Sequence, residues 1–212
     1  MEKFVTGDNS ITFYNHKFED YYHTKSGAKE EAFEKYAKAL DVSSAKNPVI
    51  FDVCFGLGYN TAAALDIIQG KATIYCFDND TEILKKILEI DADFKSYDLI
   101  KSFVRNFLEN KKEVYEEDDV KLIMVFGDAR EKIKDIDEYA DFVFFSPFSP
   151  SKVPEMWTEE FFRDIKKKMK KGAKLTTYSY ARFVRENLKK TGFTLKDGPI
   201  VGRISPSTIA IS

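Results

Sequence analysis

The strongest chemical signal in this chain of 212 residues lies in residues 51–60, FDVCFGLGYN. An apolar run containing Asp52 leads into a turn with Gly56 and Gly58, and a helical pattern follows. Glycine allows a ligand to approach the backbone closely, so the turn is expected to bind one. An acid here suits a ligand with a cationic amino group better than a pyrophosphate, which it would repel. The alternative interpretation of Asp52 is a helix cap or a structural turn acid.

Two more acids follow later apolar runs. Asp78 closes the second run, where a carboxylate can accept hydrogen bonds from both ribose hydroxyls. Asp128 follows the third and could accept from an adenine amino group. Asp80 and Asp128 could instead cap the helices that follow. Three acids at successive strand ends predict a pocket for S-adenosylmethionine. The residues expected to bind it are Asp52, Phe55, Gly56, Gly58, Asn60, Asp78, Asn79, Asp128 and Ala129.

Alternating strands and helices would position these side chains. Strands are predicted at 49–54, 72–77, 122–126, 141–145 and 174–178, with a closing antiparallel pair at 193–196 and 208–211. Helices are predicted at 60–68, 83–90, 161–169 and 183–190. This alternation predicts an α/β, Rossmann-like fold: a mostly parallel seven-stranded sheet with helices on both faces, and a ligand site at the carboxyl ends of the strands.

The first 45 residues differ from this pattern. Residues 4–14 predict a small hairpin, and Ser26 could cap a helix that runs to about Leu40. We therefore expect one domain, 1–212, in which residues 1–45 form a hairpin and helix extension and residues 46–212 form the Rossmann-like core.

Composition narrows the class of protein. Apolar residues make up 43% and charged residues 32%, as in a soluble globular protein. The only cysteines, Cys54 and Cys76, are expected to be reduced thiols in a cytoplasmic protein, and two histidines exclude a His-rich metal site. The N-terminus has no apolar stretch typical of a signal peptide, and no run is long enough to predict a membrane span.

Charge is distributed unevenly along the chain. The formal net charge is −2, yet residues 151–212 contain fourteen Lys or Arg against six Asp or Glu. This basic half could form a surface that faces phosphate groups. Alternatively, its lysine runs are the solvent-exposed face of an amphipathic helix.

Four blocks resemble the methyltransferase domain of the MnmC family, which completes the 5-methylaminomethyl group on the wobble uridine of certain tRNAs. They are residues 6–32, the FGLGYN turn at 55–60, the GDAR segment at 127–130 and, most specific, FSPSKVPEMWT at 148–158. The resemblance extends almost to the end of the chain and implies the class I S-adenosylmethionine-dependent methyltransferase fold, this cofactor and a tRNA partner. Substrate-binding residues implied by the resemblance are Tyr22, His23, Glu155, Arg185 and Arg203. No segment resembles the FAD-dependent oxidoreductase domain that some members carry.

One departure concerns the amine site, which the resemblance assigns to Ser146, Pro147 and Phe148 as catalytic residues. Members usually carry an Asp where this chain has Ser146, and a hydroxyl is a far poorer base than a carboxylate. The activity could be lost or altered. Alternatively, the Ser-Pro-Phe loop could bind the amine through backbone and side-chain oxygens while the ring stacks on the base.

Three functions remain open from the sequence. The leading one is N-methylation of an aminomethyl group on a tRNA wobble uridine. The second is methylation of another amine substrate, such as a small molecule. The third is a catalytically silent module that binds tRNA or a separately encoded FAD oxidoreductase. An NAD-binding dehydrogenase is less favoured, because Thr61 stands where G-x-G-x-x-G needs its third glycine.

Overall fold

The computed structural model describes residues 1–212, in which strands and helices alternate along most of the chain. The strands are β1 (Glu2–Val5), β2 (Ile11–Asn15), β3 (Asp20–Tyr21), β4 (Val49–Val53), β5 (Ala72–Asp78), β6 (Val114–Glu117), β7 (Val120–Phe126), β8 (Ala140–Phe145), β9 (Met169–Thr177), β10 (Thr194–Asp197) and β11 (Thr208–Ile211). The α-helices are α1 (Ala28–Glu31), α2 (Tyr59–Ile67), α3 (Thr81–Glu89), α4 (Tyr97–Asn110), α5 (Ala129–Lys132), α6 (Glu159–Lys167) and α7 (Arg182–Lys190). A π-helix, Ala32–Ala37, continues α1, and short 3₁₀ turns cover Val42–Ser44, Ile133–Asp135 and Pro154–Trp157.

The central sheet has eight strands in the order β10-β11-β9-β8-β4-β5-β7-β6. The five inner strands β9, β8, β4, β5 and β7 are parallel, and antiparallel strands extend both edges. The chain proceeds outward from β4 to β5 and β7, then returns to the other side of β4 with β8 and β9. The carboxyl ends of β4 and β8 therefore flank a topological switch point, where open α/β sheets bind ligands.

The expected fold class is confirmed, but the sheet has one strand more than the seven predicted. The additional strand, β6, pairs antiparallel with β7, and its residues are mostly exposed. Because this edge strand buries little apolar surface, it has no hydrophobic pattern to identify it. The helix predicted to reach Met169 ends at Lys167, and Met169 pairs in the sheet with Ala140.

Alternate side chains of the central strands pack into two separate cores. Phe142 and Phe144 of β8 join a core with helices α2, α3 and α4, whereas Val143 and Phe145 join a second core with α6 and α7. Successive strand residues point to opposite faces, so apolar residues at every position bury both faces of the sheet under helices. No helix is both long enough and apolar enough to cross a membrane.

The N-terminal extension is a three-stranded antiparallel sheet followed by a helix that widens into a π-helix. The prediction that Ser26 caps this helix is wrong. The first N–H groups of the helix donate instead to the Ser10 hydroxyl, at 3.0 and 3.1 Å, and to the Asp8 carboxylate, at 2.9 Å. The turn between β1 and β2 therefore caps the helix, an interaction that local sequence spacing does not indicate.

Candidate functional site

A cavity of about 450 Å³ opens at the carboxyl ends of the parallel strands, a volume typical of small-ligand sites. Most of the predicted site residues line it. They are Tyr22, His23, Phe55, Gly56, Asn60, Asp78, Asn79, Asp128, Ala129, Ser146, Pro147, Phe148, Glu155 and Arg203. The structure places Asp52, Gly58 and Arg185 outside this lining. The residues that follow β4, β5 and β7 form one side of the cavity, and those after β8 and β9 form the other.

The two glycines of the turn after β4 have different surroundings. Both have positive φ, +56° at Gly56 and +73° at Gly58. A Cβ built on Gly56 would meet only the Tyr22 ring, at 3.4 Å, and the turn's own Cys54 carbonyl, at 3.8 Å. A Cβ on Gly58 would lie 2.8 Å from Phe55 and 2.9 Å from Ile100. Gly56 thus lies at the cavity wall, whereas the space beside Gly58 is filled by core side chains.

Asp52 lies beneath the cavity, fully buried in β4. One carboxylate oxygen accepts a hydrogen bond from the Thr61 hydroxyl at 2.7 Å, and the other has no partner. Burial raises the pKa of Asp52 to about 7, although the hydrogen bond from Thr61 opposes the shift. The side chain links β4 to α2 and presents no charge at the cavity surface.

Asp78, at the end of β5, lines the cavity and supports the glycine turn. Its carboxylate accepts the N–H of Gly56 at 2.7 Å and those of Asn79 and Asp80 at 2.8 and 2.9 Å. Burial raises the pKa of Asp78 to about 6, while these backbone hydrogen bonds lower it. Asp78 therefore connects the ends of β4 and β5, and Oδ2, which accepts only the Gly56 N–H, retains capacity to accept.

Asp128 lines the cavity after β7 and also caps α5, so the alternative interpretation as a helix cap is confirmed. It accepts the N–H of Arg130 at 2.9 Å and forms a bidentate ion pair with the same guanidinium, with contacts of 2.5 to 3.1 Å. The hydrogen bond from Arg130 lowers the pKa of Asp128, which keeps it ionised at neutral pH. Asp80 likewise caps α3 through the N–H of Glu82.

Asn60 and Ser146 join the two sides of the cavity. The Asn60 amide donates to the Ser146 hydroxyl at 3.2 Å, and that hydroxyl lies 3.2 Å from the Cys54 carbonyl oxygen, to which it can donate. Asn60 is 3% exposed, and its Oδ1 has no hydrogen-bond partner. Because buried acceptors are normally paired, Asn60 Oδ1 is available to a ligand donor.

The loop of Ser146, Pro147 and Phe148 forms an aromatic wall on the other side of the cavity. The Phe148 ring stacks on Phe18 at 4.8 Å and meets the Tyr22 ring edge-on at 4.9 Å. Trp157, fully buried, donates its indole N–H to the Phe148 carbonyl at 3.1 Å. Trp157 is thus a packing residue beneath the loop.

The residues implied for substrate binding differ in position. The Tyr22 hydroxyl donates to Asp80 at 3.1 Å, and His23 stacks on Tyr59 at 4.9 Å. Burial lowers the pKa of His23 to about 4, so its ring is neutral at pH 7. Glu155 and Arg203 are exposed at the rim. Arg185 lies away from the cavity.

Arg185 instead pairs with the Asp197 carboxylate at 2.9 Å and packs on the Tyr180 ring at 4.3 Å. The lysine runs of the basic half also have local partners: Lys167 pairs with Asp164, and Lys170 with Asp141. Among the basic residues of 151–212, Arg203 alone lines the cavity. These positions favour the alternative interpretation, in which much of the positive charge of residues 151–212 lies on solvent-exposed surface.

Sequence reasoning missed an ion pair within the cavity wall. Glu31 and Lys35 line the cavity on the side of β8 and β9, with Nζ 2.8 Å from Oε1. Glu34 and Lys38 form an i, i+4 pair on the same helix, but theirs is exposed. The sequence therefore contains two equivalent pairs, and spacing alone does not indicate which one is buried.

The residues present fit S-adenosylmethionine, which carries a cationic amino group, two ribose hydroxyls and an adenine amino group. Acceptors for such donors line one side of the cavity: Asn60 Oδ1 and Asp78 Oδ2. Asp128 lies on the same side, with both of its oxygens accepting from Arg130. Gly56 stands beside them at the cavity wall, where a Cβ would make only ordinary van der Waals contacts. No group of three or more His, Cys, Asp or Glu side chains is arranged to hold a metal ion.

Comparisons with known proteins agree with this geometry. A family model described as S-adenosyl-L-methionine-dependent methyltransferase matches residues 93–212. An uncharacterized protein of Methanocaldococcus jannaschii is 34% identical over 97% of this chain and 58% of its own length. The tRNA 5-methylaminomethyl-2-thiouridine biosynthesis bifunctional protein MnmC of Campylobacter fetus is 28% identical over 86% of this chain, which spans 31% of that protein. The crystal structure of MNMC2 from Aquifex aeolicus superposes with a TM-score of 0.79 and 30% identity, over 99% of this chain and 69% of that one.

Proposed function

Because this chain belongs to the S-adenosyl-L-methionine-dependent methyltransferases of the MnmC type, we propose that it methylates the aminomethyl group of a tRNA wobble uridine. The observation that carries the proposal is a single cavity that has carboxylates and an orphaned amide oxygen on one side and an aromatic loop on the other. One side suits the cofactor and the other an amine attached to a planar base.

The cofactor side would be formed by the predicted cofactor-binding residues. When bound, S-adenosylmethionine supplies a methyl group activated by a sulfonium sulfur. Gly56 and Asn60 would receive its amino acid part, and Asp78 and Asp128 would accept from ribose and adenine. Asp52 and Gly58, which lie behind the wall, would act indirectly by holding β4, α2 and the turn together.

The amine side would be formed by Ser146, Pro147 and Phe148. The Ser146 hydroxyl accepts from Asn60 and retains a second lone pair that can accept an amine N–H. The Pro147 carbonyl accepts from the Tyr178 hydroxyl at 3.0 Å and also has a free lone pair. The Phe148 ring offers a face on which a splayed-out uracil can stack. Holding the amine close to the sulfonium methyl group in this way would account for much of the rate of methyl transfer, because the donor is already activated.

The N-terminal extension, residues 1–45, would close the cavity over this amine, since Tyr22, His23 and Glu31 belong to it. Arg203 at the rim would contact RNA phosphate, and tRNA affinity would therefore fall with salt. The chain spans 31% of the bifunctional MnmC relative. A separately encoded FAD oxidoreductase would be the partner that exposes the amine.

The test is transfer of a labelled methyl group from S-adenosylmethionine to tRNA that carries the unmethylated aminomethyl uridine. We expect one methyl group per tRNA from the native protein and none on tRNA that lacks the amine. Ser146→Ala should slow transfer about tenfold, the effect of one lost hydrogen bond. Ser151→Ala, an exposed serine of the same loop, is the matched control and should transfer normally.

Two outcomes would overturn the proposal. If the native protein binds S-adenosylmethionine by calorimetry but transfers nothing, and Ser146→Asp gains activity, the fold has been kept without the chemistry. If neither protein transfers to tRNA, the substrate is a different amine.

A further inference from the structure

The function proposed above assigns no chemical step to the ion pair of Glu31 and Lys35. Lys35 is 1% exposed and Glu31 7%, and both line the cavity. Two buried charges cost more to desolvate than a well-packed apolar pair, so stability alone does not explain their presence. Lys35 also lies in a π-helix, a conformation found frequently at functional sites.

The pair lies beside the amine loop. The Thr176 hydroxyl of β9 donates to the Lys35 carbonyl at 2.8 Å, and Thr176 is the register partner of Phe144 in β8. Ser146 follows Phe144 by two residues and so continues the same face of the sheet. The Tyr36 ring meets Phe144 edge-on at 5.9 Å. The helix that carries the pair therefore covers the strand ends from which the amine loop begins.

Glu31 is held in place but retains capacity to accept. Oε1 accepts from Lys35, and Oε2 accepts the N–H of Thr24 at 2.9 Å. A carboxylate has about four lone-pair positions, so two remain. The first turn of the helix and the segment after β3 thus fix its orientation.

Three titratable groups whose pKa values respond to Glu31 are neutral at pH 7: His23, Tyr36 and Tyr178. Burial lowers the pKa of His23 to about 4, against the attraction of the Glu31 carboxylate. Burial also raises the pKa values of Tyr36 and Tyr178 well above 10, and the charge of Glu31 adds to both shifts. Lys35 is the cation paired with Glu31, while Arg203 packs over the Tyr178 ring at 5.5 Å.

We propose that Glu31 accepts the proton that the substrate ammonium must lose, and that Lys35 assists by disfavouring a second positive charge in the cavity. The inference rests on the proposed amine methylation. The proton moves from the substrate nitrogen to a Glu31 oxygen. The freed lone pair forms the N–C bond to the methyl carbon as the C–S bond breaks, and its electrons remain on sulfur. The products are the methylammonium and S-adenosylhomocysteine, and Glu31 then releases its proton to water.

The informative variant is the double replacement Glu31→Gln with Lys35→Met. A single Glu31→Gln change would leave Lys35 buried without a counter-charge and could prevent folding. The matched control is Glu34→Gln with Lys38→Met, which removes the exposed pair of the same helix. Circular dichroism and calorimetric titration with S-adenosylmethionine verify that each variant is folded and binds the cofactor.

Both activity and binding are then measured. At pH 7 the Glu31/Lys35 double variant should transfer at least about 100-fold more slowly than native. Its rate should rise about tenfold per pH unit towards pH ~10, where an aliphatic ammonium loses its own proton. The native and control profiles should level off at lower pH. In a filter-binding assay, only the Glu31/Lys35 variant should lose the preference for tRNA with the aminomethyl group over tRNA without it.

The outcomes separate the two proposals. If the native protein does not methylate this tRNA, the proposed function fails and this inference falls with it. If the native protein is active and the folded Glu31/Lys35 variant keeps the native rate, pH profile and tRNA preference, the pair is structural and only this inference is overturned.

Discussion

Replacement of Gly58 by alanine is expected to destabilise the fold far more than the same change at Gly56. Both glycines have positive φ, so each variant carries about 1–2 kcal/mol of backbone strain. At position 58 the new methyl group would also lie 2.8 Å from Phe55 and 2.9 Å from Ile100, which are 2% and 0% exposed. Overpacking of this kind costs a further ~1–3 kcal/mol. The expected loss in the free energy of unfolding is about 2–5 kcal/mol for Gly58→Ala and about 1–2 kcal/mol for Gly56→Ala.

Urea denaturation measures these losses, with Gly70→Ala as the control. Gly70 has φ +87°, and a methyl group added there would meet no atom within 4 Å, so its replacement reports backbone strain alone. Calorimetry with S-adenosylmethionine supplies the second readout. Gly56→Ala should bind the cofactor weakly, because its methyl group takes up space at the cavity wall. The folded fraction of Gly58→Ala should bind it with less change.

Two results would refute this reasoning. If Gly58→Ala and Gly70→Ala lose the same stability, the packing around Phe55 and Ile100 does not resist the added methyl group. If Gly56→Ala binds S-adenosylmethionine as tightly as the native protein, the cofactor does not lie against this turn.

Two further changes test the floor and the loop of the cavity. Burial raises the pKa of Asp52 to about 7, which means that the folded state favours the protonated carboxyl. The stability of the folded protein that depends on this protonated form is fully present below pH ~4 and is lost as the pH rises through 7. Between pH ~5 and ~7 the free energy of unfolding of Asp52→Asn should therefore rise relative to that of the native protein by about 1.4 kcal/mol per pH unit. Urea denaturation at several pH values measures this, and a difference between the two proteins that does not change with pH would contradict it. Trp157→Phe removes the donor to the Phe148 carbonyl and should cost about 1–3 kcal/mol. It should also slow methyl transfer while cofactor affinity stays unchanged, and normal transfer at normal stability would show that the indole does not support the loop.

Much of the fold followed from local pattern. Apolar residues at consecutive positions in β4, β5, β7 and β8 indicated strands buried on both faces, and the alternation with helices implied a parallel sheet. Since the carboxyl ends of parallel strands meet at one edge, Asp78 and Asp128 could be assigned to one site from the sequence. Ser146 was added to that site only by the family resemblance. The edge strand β6 was missed because it is four residues long and mostly exposed, which leaves no hydrophobic pattern to identify it.

Tertiary packing decided the details of the site. Asp52 and Asp78 face the same side of the sheet, because Asp52 pairs in register with Cys76, two residues before Asp78. Asp52 lies deeper in its strand and is buried under α2, where Thr61 donates to it, whereas Asp78 stands at the end of its strand and lines the cavity. The resemblance implied that Arg185 binds substrate, whereas in the structure Arg185 pairs with Asp197 outside the cavity.

The sequence by itself determined the alternation of strands and helices, the glycine turn and the acids at the strand ends, since these depend on residues close together in the chain. Only the tertiary structure decided which charges enter the cavity. Glu31 with Lys35 and Glu34 with Lys38 have the same i, i+4 spacing. In an isolated helix both pairs would therefore be expected to form equally well. The helix packs over β8 and β9 through the side that carries Glu31 and Lys35, which buries this pair. Glu34 and Lys38 lie on a part of the helix that the sheet does not cover, so they remain exposed to water.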